Sequence, residues 1–248
     1  MEDKYYEING SIFSVDLNMC GRKTLTRDMQ SIIEELAIEE WYDDNFHPSF
    51  NIAPTQTSPI LLADGKSRIV KPMKWGLIPS WSKDESIGPK MINARSETLT
   101  EKPSFQNLIN QNRCVVIADG YFEWKRESDG SQPYYISHPE NKLLPMAGLW
   151  TTWESSTSKI IHSYTVITTS PQEEIRHIHN RMPVILNPMA IDEWIFCDTT
   201  PSNQAITNLV PYSKPLTFNP VSIFVNSPKN NTIDCIRSTK DSSTMDLF

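Results

Sequence analysis

The stretch 114–137 reads CVVIADGYFEWKRESDGSQPYYIS, and its punctuation decides the fold. Three runs, 114–118, 121–126 and 133–137, are rich in Val, Ile, Tyr, Phe and Trp, the residues that suit a pleated and half-buried surface. Asp119-Gly120 and Asp129-Gly130 separate them, and such dipeptides favour turns. Within 121–126, alternation puts Tyr121, Glu123 and Lys125 on one face and Phe122 and Trp124 on the other. Short runs at this spacing predict antiparallel strands.

The same pattern continues outward. Downstream, 144–151 and 160–169 are further strand-like runs, and upstream 59–63, Asp64-Gly65 and 68–75 read as a hairpin. A helical period begins at Thr26, where Met29, Ile32, Ile33, Leu36 and Ala37 share one face and Trp41 closes the segment. Shorter helices are expected at 104–111, 171–178, 190–196 and 202–209, with a buried strand at 183–186. Strands and helices do not alternate regularly as a parallel α/β fold requires, so the class is α+β with a largely antiparallel sheet. There is no internal repeat, and the polar tail from Ser238 is expected to fray.

With 248 residues, 38% of them hydrophobic, the chain can bury the core of one large mixed domain. A net charge of −7 argues against a nonspecific nucleic-acid binder, which carries a basic excess, so any DNA contact has to be a local basic patch. The four cysteines, Cys20, Cys114, Cys197 and Cys235, have neither CxxC spacing nor a histidine pair at zinc-finger distance. No metal, cofactor or disulfide framework is indicated, and reduced thiols fit the cytoplasm. Residues 1–18 open with acidic side chains and hold no apolar run of secretory length, and no window reaches a membrane span.

Four strings carry possible chemistry: Met19-Cys20-Gly21-Arg22, Asn93-Ala94-Arg95-Ser96-Glu97-Thr98, Asp119-Gly120-Tyr121-Phe122-Glu123-Trp124 and His179-Asn180-Arg181-Met182-Pro183. A loop cysteine is ordinarily a bystander, but a preceding methionine changes its prospects. Translation starting at Met19, followed by removal of that residue, would leave Cys20 with an α-amine and a thiol on one carbon framework. An α-amine of pKa about 7.7–8.0 is partly free base at neutral pH, whereas a lysine amine near about 10.4 is not. The amine can form a Schiff base with an aldehyde, and the neighbouring thiol can close a thiazolidine on the imine carbon.

The other groups have plainer readings beside the chemical ones. Glu123 is either a solvent-facing partner of Lys125 or Arg126, or a partly desolvated proton-transfer group. His179 is a proton shuttle or a capping histidine, and His177 competes with it. Asn93 is a turn residue or a hydrogen-bonding partner for an opened sugar. Arg22, Arg95 and Arg181 are surface arginines or forks that hold phosphates. Trp75 and Trp81 are core aromatics or platforms for an exposed base, with at least one expected in the core.

Together these strings, with Asn51-Ile52-Ala53-Pro54, Trp75-Gly76-Leu77-Ile78-Pro79-Ser80-Trp81 and Pro220-Val221-Ser222, resemble the SOS-response-associated peptidase (SRAP) family over residues 19 to about 230. The resemblance implies a barrel-like β core with flanking helices and a single domain over 19–236, preceded by an extension at 1–18 and followed by a flexible tail at 237–248. It implies that Cys20, Asn93, Glu123 and His179 are catalytic, with His179 preferred over His177. Pro54, Trp75, Trp81, Arg22, Arg95 and Arg181 would contact DNA. The implied activity is thiazolidine crosslinking to abasic sites in single-stranded DNA by a monomer that needs no metal, cofactor or membrane, with a proposed peptidase activity toward residues before the cysteine.

Residues 1–18 depart from that pattern, because they leave Cys20 without a free α-amine. Three explanations are open: initiation at Met19, which a methionine directly before Cys-Gly-Arg favours; self-cleavage at Cys20; or loss of thiazolidine formation. Rival functions are a cysteine-nucleophile peptidase and a noncovalent reader of damaged single-stranded DNA, in which Cys20 has no part.

Overall fold

The computed structural model describes residues 21–240, together with the backbone of β1 (Tyr5–Ile8) and β2 (Ser11–Ser14), which form an antiparallel hairpin. Then come β3 (Arg22–Leu25), helix α1 (Met29–Leu36), β4 (Glu40–Trp41) and β5 (Ser49–Ile52). The hairpin of β6 (Thr57–Asp64) and β7 (Ser67–Trp75) leads by a long loop to β8 (Asn93–Arg95). Helix α2 (Leu108–Gln111) precedes β9 (Arg113–Val116), the hairpin of β10 (Gly120–Glu127) and β11 (Gly130–Ser137), and the hairpin of β12 (Met146–Glu154) and β13 (Ile160–Thr169). The chain ends with β14 (Met182–Pro183), α3 (Ala190–Ile195), α4 (Ser202–Ala205) and β15 (Thr217–Pro220).

Two sheets organise these strands. In the first, five antiparallel strands run in the order β15-β11-β10-β3-β5. In the second, β13, β12, β9, β6 and β7 pair in turn, and β7 returns to pair with β13, closing a five-stranded barrel. The closing pair is parallel, Ser163 with Lys74 and Tyr164 with Trp75, so the barrel is mixed. Closure removes the free edges that an open sheet would expose. The α+β class and barrel-like core are thus present.

Local chemistry explains the elements. Asp28 caps α1 by accepting from the Ser31 amide at 3.0 Å. Ala37 ends the helix in the left-handed region, φ 48°. Trp41, expected to close that helix, instead lies in β4, whose parallel pairing with Ile69 and Val70 continues the sheet. Of the helix expected at 171–178, a single 3-10 turn at Glu173–Ile175 forms. Asp119-Gly120 is a strand entry: a Cβ on Gly120 would meet the Tyr135 ring at about 2.4 Å, so glycine permits the approach of the two strands. Ser238 and Thr239, expected in a frayed tail, are held, with the Thr239 amide donating to Pro220 O at 2.9 Å. Among the described residues no helix is long and apolar enough to cross a membrane, and no group of three metal-ligating side chains occurs.

The core contains two unusual cations. Arg113 is 1% exposed and donates to the carbonyl oxygens of Ile109 at 2.8 Å, Thr200 at 2.6 Å and Trp194, tying α2, α3 and the chain before α4 to β9. Lys23 is equally buried and donates to Ile117 O at 2.9 Å; burial pushes its amine down to about 7, with Asp119 opposing the shift. Below that pH the ammonium is charged in both folded and unfolded chains and the desolvation cost is fully present. From about 7 toward the unfolded value of 10.5 the folded chain has lost a proton that the unfolded chain keeps, so stability rises with pH. Urea unfolding between pH 7 and 9.5 should show Lys23→Met starting more stable than wild type and losing an upward pH slope worth up to about 3 kcal/mol. Parallel curves for the two proteins would contradict this account.

Candidate active site

Strand β3 joins β10 with Thr24 opposite Gly120, Lys23 opposite Tyr121 and Arg22 opposite Phe122. Gly21 and Glu123 each stand one residue beyond the last of these pairs, so the antiparallel ladder carries Glu123 toward the covalent neighbour of Cys20. Cys20 itself lies outside the described residues. Alternation on β10 separates the faces as the sequence suggests: Phe122 packs with Val221, Val225 and Trp124, while Tyr121 enters the main core.

Glu123 is 1% exposed and does not face solvent; Lys125 pairs instead with Glu127 at 3.2 Å. Its Oε1 is 3.8 Å from Nδ1 of His179. The main chain of Arg181 meets the same ring nitrogen with both of its groups, the amide donating to Nδ1 at 3.1 Å and the carbonyl oxygen standing 3.2 Å away. A ring with a lone pair at Nδ1 accepts from that amide; a ring protonated there donates to that carbonyl. The turn therefore holds the imidazole in either protonation state, with a carboxylate alongside. His177 is exposed, and its ring edge meets Phe218 with centroids 5.6 Å apart.

The remaining strings meet at the end of β13. On one side β8 runs parallel to it, with Asn93 opposite Val166 and Arg95 opposite Thr168. On the other, β14 places Met182 opposite Thr169 and Pro183 opposite Thr168. Asn93 is 8% exposed, Arg95 is exposed, and Arg181 donates to Thr168 O at 2.6 Å. Residues 93–98, 121–123 and 179–183, scattered in sequence, thus converge beside the start of β3.

The proposed DNA contacts divide. Trp75 is 2% exposed, donates from its indole to Ile92 O at 2.9 Å and stacks on Tyr164, so it is a core residue and no platform for a base. Trp81 is 62% exposed. Its loop leaves β7 at Gly76, where φ is +120° and a Cβ would lie 2.6 Å from Gly88 O, a path that requires glycine. Pro54 is half-buried in the turn before β6. Arg22 is turned inward: its guanidinium donates to Asn51 Oδ1 and Val225 O, both at 2.8 Å, and to Asn226 O at 2.9 Å, and lies over the Trp124 ring. It ties β3 to the chain after β15 and is not presented to a strand as a phosphate fork.

Two residues inside the quoted strings have roles that sequence reasoning missed. Asn51 is buried and its amide also donates to Val225 O, Ser227 O and Asn230 O, at 3.1, 3.0 and 2.8 Å. Glu97 forks with Arg181, Oε1 to Nη1 at 2.8 Å and Oε2 to Nη2 at 2.9 Å, and this pairing holds its carboxyl below the usual range. Neither role leaves a local sequence signal, because each partner is distant along the chain.

A family described as SOS response associated peptidase (SRAP) matches residues 19–228. The chain is 40% identical over 223 residues to the abasic site processing protein YoqW of Bacillus subtilis (strain 168), spanning 89% of this chain and 100% of that protein. It is 35% identical over 230 residues to the abasic site processing protein HMCES of Gallus gallus, spanning 79% of this chain and 68% of that protein. The crystal structure of a protein from Bacteroides thetaiotaomicron superposes with a TM-score of 0.79 over 89% of this chain and 100% of that one, at 23% identity, which shows a shared fold.

Proposed function

The chain belongs to the SOS response associated peptidase family, and from that premise we propose that it processes abasic sites in DNA by capturing the ring-opened sugar aldehyde on Cys20. The observation that carries the proposal is the buried Glu123 with Oε1 3.8 Å from His179 Nδ1, one residue past the point where β10 pairs with the strand that follows Cys20.

In this reading a chain that begins at Cys20 uses its α-amine first. The amine adds to the aldehyde carbon, and the carbinolamine loses water to give an imine. The thiol then adds to the imine carbon and its proton passes to the imine nitrogen, so the thiazolidine forms with net release of one water. Each step moves a proton, and in this reading the pair of Glu123 and His179 supplies the donor and the acceptor for it. Asn93 addresses the opened sugar, and Arg95, exposed at the end of β8, addresses a flanking phosphate.

The strand is taken to be single, which fits an acidic protein whose exposed aromatic can stack on an unpaired base. Trp81→Ala should weaken binding of a single-stranded oligonucleotide by about fivefold or more in a fluorescence titration, since one base-stacking contact is worth roughly 1–3 kcal/mol. An unchanged affinity would remove Trp81 from the interface. The activity is assigned to one unit, residues 19–236, and cleavage of the Met19–Cys20 bond by the same cysteine is the peptidase counterpart of this reading.

The test is direct. Incubated with an oligonucleotide carrying one abasic site, the protein should give a band that survives denaturing electrophoresis, and the same oligonucleotide without the lesion should give none. Equal noncovalent retention of both oligonucleotides, with no surviving band, would replace this reading with that of a noncovalent reader.

A further inference from the structure

Arg181 is held in an unusual way for an arginine beside a DNA site. Its side chain is 14% exposed, and both terminal nitrogens are engaged: Nη1 and Nη2 with the two oxygens of Glu97, and Nη2 also with Thr168 O at 2.6 Å. The remaining donor, Nε, is buried and has no hydrogen-bond partner among the described residues. Among the described residues this guanidinium is fixed by two residues: Thr168 on β13, through its carbonyl and, at 3.4 Å, its Oγ1, and Glu97 in the 3-10 turn Ser96–Thr98. The main chain of the same arginine presents its amide and carbonyl to His179 Nδ1 at 3.1 and 3.2 Å.

These contacts form one connected path from Glu97 through Arg181 to His179 and on to Glu123. We propose that Glu97 is a positioning residue for the aldehyde capture described above: by pinning Arg181 across the end of β13, it sets the turn that aims the His179 ring at Glu123. The inference rests on that proposed activity but not on Glu97 touching DNA or sugar. Bidentate geometry matters because a planar fork fixes orientation as well as distance, which a single hydrogen bond does not. Small displacements of a proton-transfer group cost rate steeply, whereas strand affinity is spread over many contacts.

The experiment compares Glu97→Ala and Glu97→Gln with wild type, after thermal unfolding has shown that both variants fold. With an abasic oligonucleotide at saturation, Glu97→Ala should form adduct about tenfold more slowly while its Kd for the unreacted strand stays within about twofold. Glu97→Gln, which keeps one acceptor for the guanidinium, should recover most of the rate.

In parallel, nitrogen NMR of the DNA-free protein reads the ring directly. In wild type, the His179 ring nitrogens should show the signature of one fixed hydrogen-bonded arrangement, and in Glu97→Ala those signals should move toward the tautomer average. A rate that falls in step with affinity, or an imidazole unchanged by Glu97→Ala, overturns the proposal. If wild type forms no adduct at all, the aldehyde-capture reading has failed, and the imidazole signals still decide whether Glu97 positions His179.

Discussion

Cys20→Ala is expected to eliminate the denaturation-stable adduct with an abasic oligonucleotide, lowering its yield by more than about 100-fold, while affinity for the strand changes little. The size of the effect follows from what each group contributes. If the chain begins at residue 20, alanine retains the α-amine, so the reversible imine can still form and can be trapped by borohydride. Ring closure needs the thiol, which cysteine holds at a very high effective concentration by covalent connection. Loss of the stable adduct with a reducible imine retained would separate the two functional groups of one residue. A stable adduct undiminished in Cys20→Ala would transfer the chemistry to another nucleophile, and a loss of affinity in step with yield would mean that the substitution disturbs the strand site.

Glu123→Gln should slow adduct formation by about 100-fold or more, the range typical of a general acid-base group. The substitution preserves shape and hydrogen-bonding capacity at a site that is 1% exposed, so the fold should survive it. What it removes is the ability to hold or release a proton beside His179, whose Nδ1 lies 3.8 Å away. Single-turnover kinetics at saturating oligonucleotide isolates this effect from binding. A rate within about twofold of wild type would relegate Glu123 to a structural acid.

Much of the fold is legible in the chain because its signals are local. Strand β13 coincides with the run 160–169, and the hairpins follow from alternation and from turn dipeptides such as Asp64-Gly65 and Asp129-Gly130. The closure of the barrel is not legible, since the parallel pairing of Ser163 with Lys74 joins segments about ninety residues apart and leaves no periodic trace. The helices expected at 190–196 and 202–209 form, at Ala190–Ile195 and from Ser202 to Asn208, but the one expected at 171–178 fails for a related reason: its one turn at Glu173–Ile175 is set by what it packs on, and propensity over so few residues decides little.

The site divides in the same way. Its residue types can be read from the strings, yet the choice between His177 and His179 came from the family resemblance, and the structure adds that His179 alone faces Glu123. Trp75 and Trp81 belong to one motif, and nothing in their spacing tells that the first is sealed against Tyr164 while the second is 62% exposed. Arg22 has the residue type of a phosphate ligand and the contacts of an internal staple. A guanidinium serves either purpose with the same donors, so its surroundings determine which one it performs.

The central claim is that Cys20, as the first residue of the working chain, captures the abasic aldehyde through its amine and thiol. Intact mass spectrometry of the natively expressed protein, before and after incubation with an oligonucleotide carrying one abasic site, tests it most directly. The account predicts a chain that begins at Cys20 and gains the mass of the oligonucleotide less one water. A stable chain that retains residues 1–18 and gains no mass would contradict it.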